Sequence, residues 1–429
     1  MRVLFLCEIP DPGVGSSVRQ MYQHARWLRA HGHETAVVAT VRDPKDATET
    51  EIDGMRVFRL HSDYNVRFRP WVSLHNRVID GPLERILNEY QPDVVHAHLV
   101  HTHLGYHALT QAKQSGARVV FSAHDVMVFC YQKLTCFHGG ERTGGTGNDV
   151  VARLGKCIPC QRLRFRPGRN HAIQKVLQRD VDVFAVVSEA LGDVLRANGI
   201  RVDAMVHNAL APIEPLPTAQ ETGAFRARLG LAGKQVIAMG GRLHEQKGVA
   251  KLLEMLALLA PRFPDLRLLV MGKKDIYTGE FEPLARRLGV ADRVVPTGWL
   301  DGAELQRAYA ATDIFVTPSI CFDTFGLVNL EAMQHAKPVV ATVFGGSKEV
   351  VLHGETGFIA NPFDIGTFAG HLAELLEDPA RATAMGLAGR RRWQQHFTIE
   401  RYGRDFDRLY RPANGPDSGR GASPGPFQG

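Results

Sequence analysis

The residues best suited to chemistry in this chain are two cations beside a pair of glycines. A short apolar run ends at Gly240 and Gly241, and Arg242 and Lys247 follow before a helical pattern. Glycine lets a ligand approach the backbone closely, an arginine can bind two phosphate oxygens at once, and lysine adds a compact charge. This order of residues indicates a phosphate site, although a plain turn with solvated charges would contain the same residues.

A second candidate segment carries two acids, Asp323 and Glu331, with Phe325, Gly326 and Leu327 between them. A helix that begins near residue 324 would present free amides suited to a diphosphate. Eight residues of helix would separate the two acids by about 12 Å and turn both toward one elongated ligand of nucleotide-sugar size. That separation is too long for two carboxylates that hydrolyse one bond. The alternative makes Asp323 a helix cap and Glu331 a surface acid.

Two smaller motifs lie in the first half of the chain. Gly13 and Gly15 precede a helical pattern, where backbone amides can meet a phosphate or a sugar. His124 follows an apolar run, at the kind of strand end where α/β proteins gather their ligands, although it could equally be a capped loop histidine. Four more histidines, in a context of strand and loop, are interpreted as ordinary loop residues or acceptor contacts, with no metal assigned: His96, His98, His101 and His103.

A dinucleotide-binding enzyme is a rival explanation for Gly13 and Gly15. These glycines lie several residues beyond the first apolar run, and the second run ends at Thr40 with Arg42 nearby. A ribose-binding acid is expected at that place in a dinucleotide fold. Its absence from the sequence disfavours a dehydrogenase.

Four of the six cysteines lie in one long connection, residues 125–170. Cys157 and Cys160 have a spacing typical of zinc sites, and Cys130 and Cys136 precede them. A closed site of four thiolates would order a loop of low apolar content. Four reduced thiols or a disulfide are the alternatives, because five residues between two cysteines is not the commonest zinc spacing.

Composition limits the class of protein. The chain has 429 residues, enough for two or three domains, and 44% hydrophobic with 22% charged residues excludes disorder for the bulk. A net charge of +6 predicts no nucleic-acid binding, whereas clustered cations would favour anionic small molecules or an acidic membrane surface. One basic run could face such a membrane, an anionic acceptor or water: Arg162, Arg164, Arg166 and Arg169.

No apolar run approaches the roughly 18 residues that span a bilayer, and the first run has no signal-peptide pattern. We therefore predict a cytoplasmic protein that could contact the inner face of the membrane peripherally.

The elements that must position these residues alternate between strand and helix patterns. A first series of short apolar runs lies at Val3 to Leu6, Thr35 to Ala39, Val94 to His96, Arg118 to Ser122 and Val183 to Val187. After a proline-rich stretch, a second series lies at Gln235 to Met239, Leu266 to Met271, Arg293 to Pro296, Ile314 to Thr317 and Pro338 to Ala341. Helical patterns between the runs predict two doubly wound α/β domains with parallel sheets.

The predicted domain limits are 1–212 for the first domain, which contains the cysteine insertion, and 213–395 for the second domain. Residues 396–411 are expected to form a helix that returns to the first domain. The Gly, Pro and Ser composition of 412–429 predicts a disordered tail.

Five motifs in order carry a resemblance to a known family. They are GGRL with KG three residues later, TGW, PSICFDTFGLVNLEAMQHAKPVVAT, GG with E two residues later, and HGETGF. With these motifs the chain resembles family 4 glycosyltransferases over about residues 1 to 411. The resemblance implies the GT-B fold, with two Rossmann-like domains facing across a cleft. It makes 1–212 the acceptor-side domain and 213–395 the domain that binds the nucleotide sugar. It also implies retaining transfer of a hexose-type sugar from an NDP-sugar to an acceptor hydroxyl, in glycan or glycolipid biosynthesis.

The same resemblance assigns roles to residues of the second half. Arg242 and Lys247 become the diphosphate clamp, and Glu331 becomes the partner of the nucleotide ribose. Gly298 and Trp299 match the segment that lies beside the base. Further donor contacts are implied for Gly13, Gly15, His124, Gly241, Phe325, Gly326 and Leu327.

Asp323 departs from the family pattern, which usually has Glu at this first acid and uses it at or near the donor sugar. The missing methylene shortens the reach by about 1.5 Å, which disfavours direct contact with the sugar and leaves helix capping easy. Gly345, Gly346 and Glu349 match the loop that follows, where Glu349 could also be a first-turn helix acid.

The resemblance implies a donor of the UDP or GDP type, a sugar or lipid-linked acceptor, and no cofactor for catalysis. No covalent nucleophile is evident, and the departing phosphate can itself take the acceptor proton. The replacement of Glu by Asp323 keeps a rival open, a non-catalytic nucleotide-sugar-binding subunit of a polysaccharide assembly system. A scaffold organised by zinc at the four cysteines is a third hypothesis.

Overall fold

Strands and helices alternate through the computed structural model, which describes residues 1–137 and 148–412. The strands are β1 Arg2–Cys7, β2 Glu34–Val41, β3 Glu49–Ile52, β4 Met55–His61, β5 Val94–Leu99, β6 Arg118–Ala123, β7 Val183–Val186, β8 Ala204–Met205, β9 Gln235–Gly240, β10 Leu266–Met271, β11 Val294–Pro296, β12 Ile314–Thr317, β13 Val339–Thr342 and β14 Gly357–Ala360.

The helices are α1 Ser16–Ala30, α2 Arg69–Val72, α3 Arg77–Tyr90, α4 His107–Gln114, α5 Leu154–Gln161, α6 Arg169–Asp180, α7 Glu189–Ala197, α8 Ala219–Arg228, α9 Val249–Leu259, α10 Lys274–Ile276, α11 Glu282–Arg287, α12 Gly302–Ala311, α13 Leu327–Gln334, α14 Ser347–Val350, α15 Ile365–Glu377, α16 Pro379–His396 and α17 Ile399–Tyr410.

Two sheets organise these elements. The first has eight strands in the order β3-β4-β2-β1-β5-β6-β7-β8, and the second has six in the order β11-β10-β9-β12-β13-β14. The expected α/β class with two doubly wound sheets is confirmed. All strand pairs are parallel except at one edge, where β3 runs antiparallel to β4, so the prediction of purely parallel sheets is wrong there.

The strand order fixes where a ligand can bind. In the second sheet the chain goes from β9 outward to β10 and later returns to the other side of β9 with β12. In the first sheet the same reversal separates β1 from β5. Doubly wound sheets bind ligands beyond the carboxyl ends of the strands at such reversals. The loops after β9, β12, β1 and β5 therefore form the expected site.

The last helix, α17, packs on the first domain, against α1. Trp27 Nε1 donates a hydrogen bond to Glu400 at 2.6 Å, and the Tyr410 hydroxyl lies 2.7 Å from His96 Nδ1. A Cβ at Gly403 would lie 2.1 Å from the Trp27 ring, so only glycine allows this close approach. The tail predicted to be disordered lies outside the described residues, apart from Pro412.

The described part of the insertion after β6 is rich in buried apolar side chains. Val126, Val128, Phe129, Leu134 and Phe137 are each at most 2% exposed. The expectation of a loop with low apolar content is therefore wrong for this stretch. One continuous apolar cluster also joins the two sheets, which holds the domains together in this structure.

Among the helices of residues 1–137 and 148–412, none combines the length and the apolar character that crossing a bilayer requires.

Candidate active site

The loops after β9 and β12 meet in a tight ion pair. Lys247 Nζ lies 2.9 Å from Asp323 Oδ2, and the Ser319 hydroxyl donates to the same oxygen at 3.2 Å. Burial alone would lower the pKa of Lys247, but the Asp323 carboxylate outweighs it and raises that pKa to about 12. Burial raises the pKa of the Asp323 carboxyl, but Lys247 outweighs burial and brings that pKa below its ordinary value. Both groups are thus charged at neutral pH.

Arg242 lies in the same loop, exposed and close enough for its charge to act on the pKa of Lys247. The two loops approach so closely because Gly248, with φ of 75°, has no side chain. A Cβ at Gly248 would lie 1.8 Å from the carbonyl oxygen of Pro318. The structure therefore brings both predicted cations to the carboxyl ends of β9 and β12, beside the acidic segment.

Helix α13 begins later than predicted. Its first residue is Leu327, and Gly326 precedes it in the left-handed region with φ of 80° and no side-chain cap. The expected start near residue 324 is wrong because Thr324 and Phe325 are not helical. The Phe325 amide is not free, since it donates to the Asp323 carboxylate. The amides that begin the helix are those of Leu327 and Val328.

Asp323 consequently precedes α13 and does not cap it, so the helix-cap interpretation is wrong. The geometry that placed both acids on one helix is wrong for the same reason. The Phe325 side chain is buried and packs near Phe397 and His207, with ring centroids 5.9 and 5.7 Å away.

Glu331 is a buried acid on α13 rather than a surface acid. It forms an ion pair with Arg19, which reaches across from α1 in the first domain. The hydroxyl of Tyr309 donates to the other carboxylate oxygen. The Glu331 carboxylate raises the pKa of Arg19. The sequence analysis did not identify Arg19, because its neighbours in the chain mark it only as an ordinary helix residue.

Thr324 connects the acidic segment to the first domain. Its hydroxyl donates to the His124 carbonyl at 2.8 Å, and its own carbonyl accepts from the Ser188 hydroxyl at 2.6 Å. The following glycine loop also contacts this segment, since the Gly346 amide donates to the Asp323 carbonyl at 2.8 Å. The carboxyl ends of β6, β7, β12 and β13 therefore converge on residues 323 and 324.

Glu349 acts across the domain boundary. Its carboxylate accepts from the amides of Glu189 and Ala190, each at 2.8 Å, at the start of α7. His207 Nε2 lies 3.0 Å from the same carboxylate. Glu349 thus caps a helix of the other domain, and nothing local in the sequence identifies that partner.

His124 is buried, with Nε2 only 2.8 Å from His98 Nδ1. Burial lowers the pKa of His124 to about 4, so the ring is neutral at pH 7 and can act there as a hydrogen-bonding group. His96 and His98 lie on β5 in the core. His96 sits between the Tyr410 and Ser122 hydroxyls, so the loop interpretation is wrong for these two residues.

The remaining predicted contacts lie at strand ends. Gly13 and Gly15 form the loop between β1 and α1, and Gly15 precedes the first helical residue. Gly298 and Trp299 follow β11, which is separated from β9 by one strand, and about half of Trp299 is exposed. Gly241 lies between β9 and Arg242.

The four predicted zinc ligands surround one small cavity of about 20 Å³ in the insertion: Cys130, Cys136, Cys157 and Cys160. All four are free thiols. No three of their sulfur atoms lie within 4.8 Å of one another, so a tetrahedral site would require side-chain rotation. Cys130 Sγ accepts the amides of Gln132 and Leu134 at 3.4 and 3.1 Å. Burial outweighs these two hydrogen bonds and raises the pKa of the Cys130 thiol above its ordinary value.

The basic run of the insertion divides into two kinds of residue. Arg169 is buried, donates to the Met127 carbonyl at 2.8 Å and stacks over the Tyr131 ring. Arg166 donates to the carbonyls of residues 70 and 71. Arg162 and Arg164 are exposed. Only the last two fit the expected surface role without rearrangement.

Comparison with known proteins defines the class. The family model described as Glycosyltransferase Family 4 matches residues 17–208, and the model described as Glycosyl transferases group 1 matches residues 222–392. Sucrose-phosphate synthase from Thermosynechococcus elongatus superposes with a TM-score of 0.74 at 21% identity, over 95% of this chain and 98% of that one. The fold is GT-B, as the resemblance implied.

Two curated relatives sharpen the assignment. A GDP-mannose-dependent alpha-(1-6)-phosphatidylinositol monomannoside mannosyltransferase from Mycolicibacterium smegmatis is 35% identical over 196 residues, 42% of this chain and 51% of the relative. A sulfoquinovosyl transferase from Arabidopsis thaliana is 27% identical over 402 residues, 92% of this chain and 70% of the relative. The match thus spans about half the length of the mannosyltransferase. The chain belongs to family 4 of the glycosyltransferases.

Proposed function

We propose that this protein is a cytoplasmic, retaining glycosyltransferase. It moves a hexose-type sugar from a UDP- or GDP-sugar to a hydroxyl of a sugar or lipid-linked acceptor, in glycan or glycolipid biosynthesis. The observation that carries the proposal is the charged Lys247, held by Asp323 where the loops after β9 and β12 meet, beside the start of α13. Family membership and the names of the relatives support the reaction class.

The chemistry follows from the charge that develops on the leaving group. As the bond between the anomeric carbon and the diphosphate breaks, negative charge grows on the diphosphate oxygens. Lys247, Arg242 and the first amides of α13 offer preorganised positive charge to that group. The acceptor oxygen forms its new bond to the anomeric carbon, and its proton passes to the departing phosphate. The clamp needs no metal ion for this charge stabilisation, and we assign no protein residue as general base.

The rest of the donor is assigned along the cleft. Glu331 accepts from the ribose hydroxyls, and Gly298 with Trp299 borders the base. Neutral His124 hydrogen-bonds the donor sugar, while Gly13 and Gly15 offer backbone amides to the donor. In this assignment Asp323 acts through Lys247, because its carboxylate is already engaged with that ammonium group.

A screen of UDP-, GDP- and ADP-sugars by thermal shift tests donor binding, since a bound ligand stabilises the fold by mass action. Transfer and donor hydrolysis by the purified protein then test the reaction. We expect Arg242→Ala to lower turnover by about a hundredfold or more, as loss of a transition-state donor does. Arg262→Ala is the matched control, because Arg262 is exposed beyond the far end of α9. Near-native turnover in both Arg242→Ala and Lys247→Ala would overturn the clamp.

The competing function is a non-catalytic subunit that binds the nucleotide sugar. The observation that favours it is Asp323, whose short carboxylate is paired with Lys247. Donor binding without any transfer or hydrolysis, across the acceptors tested, would select this second function.

We propose in addition that the four cysteines bind a structural zinc ion. The support for this proposal is that all four free thiols border one cavity, and four thiolates are a common ligand set for structural zinc. Metal analysis should give one zinc per chain, which Cys157→Ser with Cys160→Ser removes and Cys7→Ala retains. His75, Asp80 and His107 form a surface cluster that could also hold a metal ion. Zinc that disappears in His75→Ala instead of the cysteine variant would contradict the cysteine site.

A further inference from the structure

Two segments of the first domain concentrate the exposed apolar side chains. Eight of the 15 large apolar residues exposed in the described structure lie in 65–78 and 150–169. The most exposed are Leu163 at 98% and Leu154 at 67%, followed by Phe68 and Val78 at 59% each. The others are Val66, Trp71, Val151 and Ile158. Single exposed apolar residues need no explanation, but a concentration of this kind marks an interaction surface.

The two segments are neighbours in space. Arg166 Nη1 donates to the carbonyls of Pro70 and Trp71 at 3.3 and 3.2 Å. Tyr131 lies between the segments, where its carbonyl accepts from Arg69 and its hydroxyl donates to the Arg166 carbonyl. The exposed residues therefore belong to one surface, which we call the apolar-basic surface and define as the exposed parts of 65–78 and 150–169.

This surface is also strongly basic. The two segments contain nine lysines and arginines and no Asp or Glu, whereas the whole chain carries a net charge of only +6. Five of the nine are exposed, namely Arg67, Arg77, Arg153, Arg162 and Arg164, and the other four are partly or fully buried. Arg153 forms an ion pair with Asp149, just outside the segments. The other four exposed arginines lie in the same two segments as the most exposed apolar side chains.

Helix α5 shows how the surface is supported. Leu154 and Ile158 are four residues apart, on one face of the helix, and both are exposed. Cys157 and Cys160 line the cavity beneath the helix. The helix thus turns apolar residues outward, while half-buried Cys157 and exposed Cys160 border the cavity.

The position of the surface relates it to the active site. Segment 65–78 follows β4, and segment 150–169 belongs to the insertion after β6. The carboxyl ends of these parallel strands share one edge of the sheet with His124. A molecule held at the surface is therefore at the same edge of the sheet as His124 and the active-site loops of the first domain.

We propose that the apolar-basic surface binds an anionic lipid bilayer and presents a lipid-linked acceptor to the cleft. Apolar side chains enter the interface while arginines contact anionic headgroups, the pattern of peripheral membrane anchors. A second copy of the chain is disfavoured as the occupant, because a twofold interface would oppose the same cations to each other. The acceptor part of the proposal rests on the proposed glycosyltransferase function, whereas the membrane part does not.

Flotation of the full chain with vesicles tests the surface. We expect binding to vesicles of equal parts phosphatidylglycerol and phosphatidylcholine, weakening with salt, and little binding to phosphatidylcholine alone. Phe68→Ser with Leu163→Ser should lower the partition coefficient by about tenfold or more. Arg162→Gln with Arg164→Gln should lower it by a similar factor. Leu258→Ser with Leu387→Ser is the control, since these residues are 57% and 46% exposed in the second domain.

The outcomes separate this proposal from the proposed function. Thermal shifts with UDP and GDP, measured without lipid, should be the same in all these variants and in the unmodified protein. Wild-type protein that ignores anionic vesicles, or surface variants that bind them as well as the control, would overturn the surface. A dimer in light scattering that Phe68→Ser with Leu163→Ser dissociates would assign the surface to a second copy instead.

Discussion

The two acids of one motif are held in contrasting ways. Asp323 pairs with Lys247 inside the second domain, whereas Glu331 pairs with Arg19 across the cleft. The first pair joins loops of one sheet, so it persists whatever the position of the domains. The second pair exists only while α1 and α13 are close. In the proposed function, Asp323 therefore keeps Lys247 charged, and the ion pair of Glu331 depends on the distance between the two domains.

This contrast also limits what each pair contributes to stability. Lys247 and Arg19 are 42% and 36% exposed, and ion pairs with one solvated partner contribute little to the free energy of unfolding. Turnover, nucleotide affinity and pH dependence should therefore distinguish the two ion pairs better than stability does.

The largest effect is expected from Lys247→Met. It removes the ammonium group that Asp323 holds in the proposed clamp, so turnover should fall by about a hundredfold or more, with a smaller change in KM. Arg19→Met is the matched comparison, since it deletes the cation of the other pair, and it should lower turnover by less than about tenfold. Steady-state kinetics with the donor found by thermal shift measures both. Equal losses in the two variants would remove the distinction between the pairs.

Asp323→Asn should change the pH dependence of turnover. Asp323 raises the pKa of Lys247 from 10.5 to about 12, against the lowering effect of burial. Without the carboxylate, burial dominates and the ammonium loses its proton at a lower pH. Turnover of Asp323→Asn should therefore decline as pH rises toward 10, while the unmodified protein stays active. Asp323→Glu restores the charge and should restore the flat profile. If Asp323→Asn and the unmodified protein showed the same pH profile of turnover, Asp323 would not be what keeps Lys247 protonated.

The same coupling has a defined effect on stability. The pKa of Lys247 in the folded protein lies above its ordinary value of 10.5. Its protonation therefore adds to the free energy of unfolding below pH 10.5, and this contribution is lost as pH rises through about 12.

Arg19→Ala should tighten nucleotide binding a few-fold. In the proposed function the ribose competes with Arg19 for Glu331, so removal of the guanidinium frees the carboxylate. Titration calorimetry with UDP and GDP gives the affinity, and X-ray scattering should show a more open free protein. Arg26→Ala is the control, because Arg26 lies on the same helix and pairs with Asp53. A tenfold loss of affinity in Arg19→Ala would identify Arg19 as a donor contact instead.

The smallest effect is expected at the second contact between domains, Glu349. Glu349→Ala removes the acceptor for two amides at the start of α7, so the free energy of unfolding should fall by about 1 kcal/mol. Urea denaturation measures it, with exposed Glu355→Ala as the control. His207 and the amides hold the pKa of Glu349 below its ordinary value despite burial. The contribution should therefore be present above pH 4.5 and disappear as pH falls further.

Much of the fold could be predicted because apolar runs have clear limits. The structure has β10 and β12 at the residues the pattern predicts, and α17 lies within the predicted 396–411. Strands β3 and β4 were missed because arginine and glutamate alternate with their apolar residues, as suits an exposed sheet edge. Such residues carry little strand signal of their own.

The sequence identified most residues of the candidate site, but it did not predict how they are arranged in space. Spacing singled out Lys247, Asp323 and Glu331, yet the late start of α13 depends on the left-handed Gly326 and on the Phe325 amide bonded to Asp323. Arg19 and Glu349 were missed in their roles because their partners lie in the other domain. Contacts between residues so distant in the chain produce no local sequence pattern from which they could be predicted.

The return of α17 has a practical consequence for dissecting the enzyme. The aromatic face of this helix covers α1 and β5, with Gly403 against Trp27 and Tyr410 beside His96. A fragment cut at the linker between the sheets would therefore leave the amino-terminal half uncovered and the other half with an unpaired amphipathic helix. Two fragments separated at this linker should reassemble when the α17 of one fragment packs on the first domain of the other, so α17 is suited to complementation assays.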